Sequence, residues 1–264
     1  MTNLISQAFK NNEKKLVTFV TGGDPDFETS LQVIKTIIKN RADIIEIGMP
    51  FSDPMADGPT IQLSSNRAIS KGINLENIFS LASKAKKVKN DLPIILMGYY
   101  NLILHFGIEQ FVKKCKENGV DGLIIVDLQP EEDEELINEL NKNQIDLIRL
   151  ITPTTDKYRL ELILKNASGF LYYVSVMGIT GQKSADLNEL DKSVAFIKKH
   201  TNLPVVPGFG IKNSTDVNNI CKIADGAVVG SSIIKIIEEN LDDKEKMLLK
   251  IDKFSKDLKR GTIV

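Results

Sequence analysis

The sequence predicts a single-domain (β/α)8 TIM barrel over residues 1–264, and three observations predict it. Eight short runs of mostly aliphatic and β-branched residues recur at 16–21, 44–47, 94–98, 123–126, 147–151, 170–174, 205–207 and 227–229. Between them lie stretches with helical spacing, and no Gly/Ser-rich linker interrupts the alternation. Short strands apolar on both sides belong in a parallel sheet buried beneath helices. Eight in strict alternation favour closure into a barrel. An open doubly wound sheet would carry a GxGxxG turn after its first strand. That turn reads TGGDP at 21–25, which does not fit.

Taken in order, the first run leads into Leu31, Ile34, Ile37 and Ile38, one apolar face at helical period. The second run is followed by a segment from 48 to about 72, too long for a simple connection. The third run precedes a loop holding His105 and a helix holding Cys115. The fourth precedes Leu136, Ile137 and Leu140, again at helical spacing. A second long segment, 175 to about 187, follows the sixth run. The seventh and eighth runs end in glycine turns, and helices over 233–239 and 247–258 close the chain. Excess length after a barrel strand lies on the face where active sites are built, and long loops there often act as lids.

Composition excludes several function classes. Lys and Arg number 34 against 35 Asp and Glu, a formal charge of −1. Lysine-rich stretches such as 84–87 alternate with apolar positions and read as solvated helix faces, not a nucleic-acid patch. Cys115 and Cys221, without CxxC or Cys/His spacing, read as reduced packing thiols. The N-terminus lacks a signal-peptide pattern, and no run of ~18 apolar residues exists to span a membrane. The expected location is cytoplasmic, or the plastid stroma if the chain is organelle-encoded. A chain of 264 residues buries enough core to need neither disulfide nor structural metal.

One residue breaks the apolar pattern of its strand. The second run reads IIEIG, and strand alternation sets Glu46 on the face opposite Ile45 and Ile47, toward the barrel mouth. A carboxyl there is costly unless paired or protonated, and desolvation raises its pKa toward the range useful for proton transfer. The alternative is a structural carboxylate held by an Arg or Lys. The loop that follows presents Asp53 and Asp57 among three prolines and Gly58. Asp before Pro or Gly is also ordinary turn chemistry, so each aspartate has a structural reading beside the catalytic one. One desolvated and one loop carboxylate together suit acid/base work at neutral pH.

Glycine turns follow the sixth, seventh and eighth runs: GITG at 178–181, GFG at 208–210 and GSS at 230–232. Glycine leaves backbone N–H groups unshielded, and a helix opening near Ser231 and Ser232 adds positive potential at its N-terminus. Barrels often hold a phosphate at the loops after strands seven and eight. No lysine lies inside any run, which argues against a Schiff-base aldolase. His105 and His200 are far apart in the chain, which argues against a metal-dependent one. Metal-free proton chemistry on a phosphorylated substrate remains.

At these residues the sequence resembles the tryptophan synthase alpha chain family. The segment 46–62, EIGMPFSDPMADGPTIQ, matches that family's signature almost letter for letter. MGYYN at 97–101, VDL at 126–128, SVMGITG at 175–181, PGFGI at 207–211 and Gly230-Ser231 extend the match along nearly the whole chain. The resemblance implies retro-aldol cleavage of indole-3-glycerol phosphate to indole and glyceraldehyde 3-phosphate. It implies that Glu46 protonates the indole at C3 and assists deprotonation of the glycerol hydroxyl, that Asp57 accepts the indole N–H, and that Tyr172 is an active-site tyrosine. Thr180, Gly181, Gly210, Gly230 and Ser231 match the phosphate-binding set, Thr180 lying in a mobile loop that excludes water. Phe19, Met97 and Ile124 are the implied indole walls. The family works as an αββα complex with a beta chain that carries pyridoxal phosphate, the alpha chain carrying no cofactor or metal; Pro50, Asp53 and Asn101 match surfaces facing that partner. Gln129 stands where relatives often have proline, and Thr152 where alanine is frequent. Both lie beside matched residues. Rival expectations are a free-standing lyase without a partner, a phosphate-binding isomerase or epimerase, and an inactive homologue retained as an allosteric partner.

Overall fold

The computed structural model describes residues 3–11, 13–174, 183–208 and 210–264, without the side chains at 183–186. Its strands are β1 (Lys15–Thr21), β2 (Ile44–Gly48), β3 (Ile94–Gly98), β4 (Gly122–Ile125), β5 (Asp146–Leu147), β6 (Arg149–Ile151), β7 (Leu171–Val174), β8 (Val205–Gly208) and β9 (Gly226–Val229). All pairings are parallel, in the order β5-β4-β3-β2-β1-β9-β8-β7-β6. The two ends of this sheet belong to one run of sequence. The expected fifth strand is split at Ile148 into β5, which pairs with β4, and β6, which pairs with β7. The Ile148 N–H still donates to the Leu123 carbonyl at 2.9 Å. That shared run closes the barrel.

A short helix, α1 (Leu4–Ala8), precedes the barrel, and α2 (Phe27–Lys39) follows β1. After β2 come α3 (Pro59–Ser70) and α4 (Leu75–Val88), and after β3 α5 (Tyr100–Phe106) and α6 (Ile108–Glu117). Single helices α7 (Glu134–Asn143), α8 (Lys157–Leu164), α9 (Lys183–Lys198) and α10 (Ser214–Cys221) follow β4, β6, β7 and β8. The chain ends with α11 (Ser231–Glu238) and α12 (Lys244–Gly261). Among the described residues no helix is long and apolar enough to cross a membrane.

Several boundaries differ from expectation. Half of the anticipated loop 48–72 is α3, whose buried face is largely polar and so gives little apolar periodicity. His105 lies in α5, not in a loop. Helix α11 opens at Ser231, within the Ser231-Ser232 pair expected to open it, although its apolar stripe starts two residues later. Helix α9 already begins at Lys183, within the expected segment 175–187.

Strand alternation sorts the core into two layers. An inner cluster takes one apolar side chain from each of the eight runs, from Val17, Ile44 and Ile95 round to Val228, with Ile5 of α1 plugging the bottom. Neighbouring residues such as Ile45, Ile47 and Leu96 face the helices instead. At the bottom, clasps join successive strands. Asp43, Asp121, Ser168 and Asp225 each accept, through a side-chain oxygen, the N–H of Leu16, Ile94, Leu147 and Val205 at 2.8, 2.8, 2.9 and 2.8 Å. Each also donates its own N–H to the carbonyl of the same residue. A rigid lower barrel leaves the upper rim to carry chemistry.

Candidate active site

Glu46 sits one inward step above Ile44 on β2, beside Phe19 of β1 and Ile95 of β3 in register. It is completely buried, and neither carboxylate oxygen has a hydrogen-bond partner among the described residues. Burial penalises the charged form and pushes this carboxyl up to about 8. The alternative reading of Glu46 as half of an ion pair has one competitor within the runs, Arg149 on β6. Ile148 and Leu150 pack with the inner cluster, so Arg149 between them points outward. There it pairs with Asp133 and donates to the Leu128 carbonyl at 3.0 Å. Lys15 opens β1 at the opposite end of the barrel and bonds Asn11 at 2.5 Å. Neither cation reaches Glu46.

Asp57 ends the loop after β2 and is half-buried. Desolvation raises its pKa, and a hydrogen bond from Tyr99, which favours the charged form, opposes the rise. The Tyr99 hydroxyl donates to Asp57 Oδ2 at 3.1 Å and accepts the Ala56 N–H at 3.0 Å. Its ring stacks on Phe51 with centroids 5.0 Å apart. The Met49 N–H donates to the Met97 carbonyl at 2.7 Å, fixing the start of the same loop. Tyr99 thus holds the acid loop at its middle and end. Its sequence context was matched within MGYYN, but its partner is visible only in three dimensions. Tyr99→Phe should lower turnover by roughly tenfold, as misplacement of a reacting group does. Loss of a donor to the charged form should also move the acid limb of the pH–rate profile to higher pH. Steady-state rates across pH check both effects.

Tyr172, on β7, faces the same interior. Burial and then the negative field of Glu46 and Asp57 raise its phenol well above the ordinary range, so it is a neutral hydrogen-bonding group at physiological pH. Gly208 allows this placement, because a Cβ there would collide with the Tyr172 phenol.

Asp57 and Tyr172 line a cavity of about 190 Å³, and so does Phe19, the register partner of Glu46. Its lining includes Phe19, Asp57, Met97 and Tyr172, together with Gly210, Gly230 and Ser231. Gly210 has φ +40°, a backbone state favouring glycine. Gly230 caps α11, its carbonyl accepting the Ile233 and Ile234 N–H groups at 2.8 and 3.1 Å, and the amides ahead of them at Ser231 and Ser232 carry the positive end of the helix dipole. That is a site for an anion. The Ser232 hydroxyl instead donates to the Ile211 carbonyl and fastens the helix start to the loop after β8.

The expected set is partly assembled: Glu46 is fully buried and is not itself among the residues lining the cavity, although its register partner Phe19 is. Ile124 is fully buried in the inner cluster, in register with Met97, and is absent from the cavity lining. Ile61 and Val228 line the cavity instead. An inward apolar residue reads the same in sequence whether or not it reaches the cavity. Thr180 and Gly181 lie outside the described residues. Pro50, Asp53 and Asn101 are on the rim, Asp53 and Asn101 exposed and Pro50 half-buried. Gln129 and Thr152 line a separate cavity of about 390 Å³ beside Arg149 and Arg159. That cavity is larger, yet its lining has neither Asp57 nor Tyr172 nor any glycine. Among the described residues no group of three or more His, Cys, Asp or Glu could hold a metal ion.

The chain is similar to known proteins along almost its full length. Residues 5–263 match the family described as tryptophan synthase alpha chain. The tryptophan synthase alpha chain of Petrotoga mobilis is 45% identical over 255 residues, covering 97% of this chain and 98% of that one. The crystal structure of tryptophan synthase subunit alpha from Legionella pneumophila superposes with a TM-score of 0.92 at 33% identity, covering 99% of each chain. A solved chain from Aquifex aeolicus gives a TM-score of 0.88 at 38% identity, covering 98% of this chain and 99% of that one.

Proposed function

The chain belongs to the tryptophan synthase alpha chain family, and on that premise we propose that the cavity lined by Phe19, Asp57 and Tyr172, next to Glu46, is where its substrate is split. The protein is a carbon–carbon lyase of tryptophan biosynthesis that cleaves indole-3-glycerol phosphate to indole and glyceraldehyde 3-phosphate. The observation that carries the assignment of the site is Glu46: a buried, unpaired carboxyl in register with Phe19, which lines a cavity together with Asp57, Tyr172, Gly210, Gly230 and Ser231.

In this reading the phosphate lies at the N-terminus of α11, against Gly210, Gly230 and Ser231, with Thr180 and Gly181 completing the set. The indole ring lies between Phe19, Met97 and Tyr172. Glu46 delivers its proton to indole C3, which becomes tetrahedral while positive charge develops at the ring nitrogen. Asp57 accepts the indole N–H and stabilises that charge. The Glu46 carboxylate then removes the proton from the hydroxyl on the adjacent glycerol carbon. That oxygen becomes the aldehyde carbonyl, the carbon–carbon bond breaks, and its electron pair restores the aromatic ring. Glu46 ends protonated, as it began. All proton transfers run between substrate and side chains, so the scheme asks for no metal and no cofactor on this chain.

Pro50, Asp53 and Asn101 are read as part of the surface that meets a beta chain, which would hold the pyridoxal phosphate in an αββα complex. The cytoplasm is the compartment that fits this assignment. Indole release from indole-3-glycerol phosphate, measured with and without an added beta chain, tests the whole reading. Cleavage by the isolated chain that accelerates with the partner is the expected result. Equal rates with no co-elution would point to a free-standing lyase, and no indole under either condition would refute the assignment.

A further inference from the structure

Helix α3 connects the acid loop to the body of the barrel, since Asp57 stands two residues before its first residue, Pro59. Ile61 of the same helix lines the cavity. A surface helix ordinarily docks through an apolar stripe. The buried residues of α3 are instead Ser64, Ser65 and Ala68. Its attachment is largely polar. The Thr21 and Ser64 hydroxyls lie 2.6 Å apart at the end of β1. One turn further on, Arg67 donates from Nε to Asp24 Oδ1 at 2.7 Å and from Nη2 to Oδ2 at 2.9 Å. The Asp24 side chain is fully buried, and Arg67 Nη1 also faces Glu238 of α11 at 3.8 Å. Glu238 closes the helix that Ser231 opens. One guanidinium therefore touches the β1 loop, the helix that carries the acid loop, and the helix whose other end cradles phosphate.

We propose that Arg67 is a positioning residue for the cleavage reaction: forked on Asp24 and facing Glu238, it sets where α3 sits, and through α3 where Asp57 stands relative to Glu46 and the phosphate. This rests on the reading of Asp57 given above. The planar fork is the feature that matters, because two parallel charge-assisted bonds fix orientation as well as distance. Helix α11 has its own apolar anchors in the fully buried Ile233, Ile234 and Ile237. Loss of the fork should therefore disturb α3 and leave the phosphate cradle in place.

The test uses the full chain and two variants. Arg67→Lys keeps the charge and loses the fork. The double variant Arg67→Met with Asp24→Asn removes both charges, so no unpaired carboxylate is left buried. Turnover of indole-3-glycerol phosphate per folded molecule should fall about tenfold or more in both, the scale of a misplaced catalytic group. Affinity for glycerol 3-phosphate, which probes the phosphate cradle alone, should stay near that of the parent. In an Asp57→Asn background, Arg67→Lys should add almost nothing, because one residue acts through the other. Parental turnover in both variants, or the same fractional loss with and without Asp57, would overturn the proposal. Parental turnover in Asp57→Asn alone would instead overturn the underlying role of Asp57, a separable result.

Discussion

Glu46→Gln is expected to abolish cleavage of indole-3-glycerol phosphate and to leave binding of glycerol 3-phosphate intact. The amide matches the carboxyl in shape but neither gives nor takes a proton at the required stage. A single positioned acid or base contributes about 10²–10⁴ in rate. In the proposed scheme Glu46 acts once in each direction, so the loss should lie at or beyond the top of that range. Turnover of the parent should itself fall as pH rises through about 8, where the acid form of Glu46 is depleted.

The same substitution separates chemistry from folding. Glu46 has a folded pKa above its unfolded value of 4.5, so its contribution to stability is fully present below that value. It is lost progressively as pH rises toward about 8 and changes no further above it. The rise from 4.5 to about 8 makes the whole window worth about 5 kcal/mol. Glu46→Gln should remove that slope, becoming more stable relative to the parent as pH rises. Denaturant midpoints on either side of the window check it. A variant that is inactive yet gains relative stability at alkaline pH has lost a proton donor, not a fold.

Asp57→Asn is expected to lower turnover by roughly 100-fold or more, the cost of removing an acid/base or charge-stabilising group. The Asn carbonyl can still accept the Tyr99 hydroxyl bond, so the loop should keep its place. What disappears is the negative charge opposite the indole nitrogen. The loss should therefore appear in kcat more than in KM. A variant that raised KM alone would show Asp57 to be a binding group only.

The fold and half of the site could be read from sequence for a plain physical reason. A buried parallel strand must be apolar, so a lone acid such as Glu46 stands out, and glycine turns after the last runs are conspicuous at the phosphate end. Three features were not readable. The split of the fifth run at Ile148 follows from closure of the sheet, which joins β4 on one side and β7 on the other. Helix α3 buries serines, so hydrophobic periodicity hardly registers it. The partners Tyr99–Asp57 and Arg67–Asp24 are each about forty residues apart in sequence, and local patterning cannot pair such residues. Arg149 lies inside a run, and only its outward direction frees Glu46 from it.

The central claim is that Glu46 is kept protonated at neutral pH by dry surroundings alone. Isotope-edited infrared or carbon NMR titration of its carboxyl in the unliganded protein tests that most directly. Half-ionisation near pH 8 is the predicted result. A carboxylate signal already dominant at neutral pH, with a midpoint near the ordinary 4.5, would contradict it.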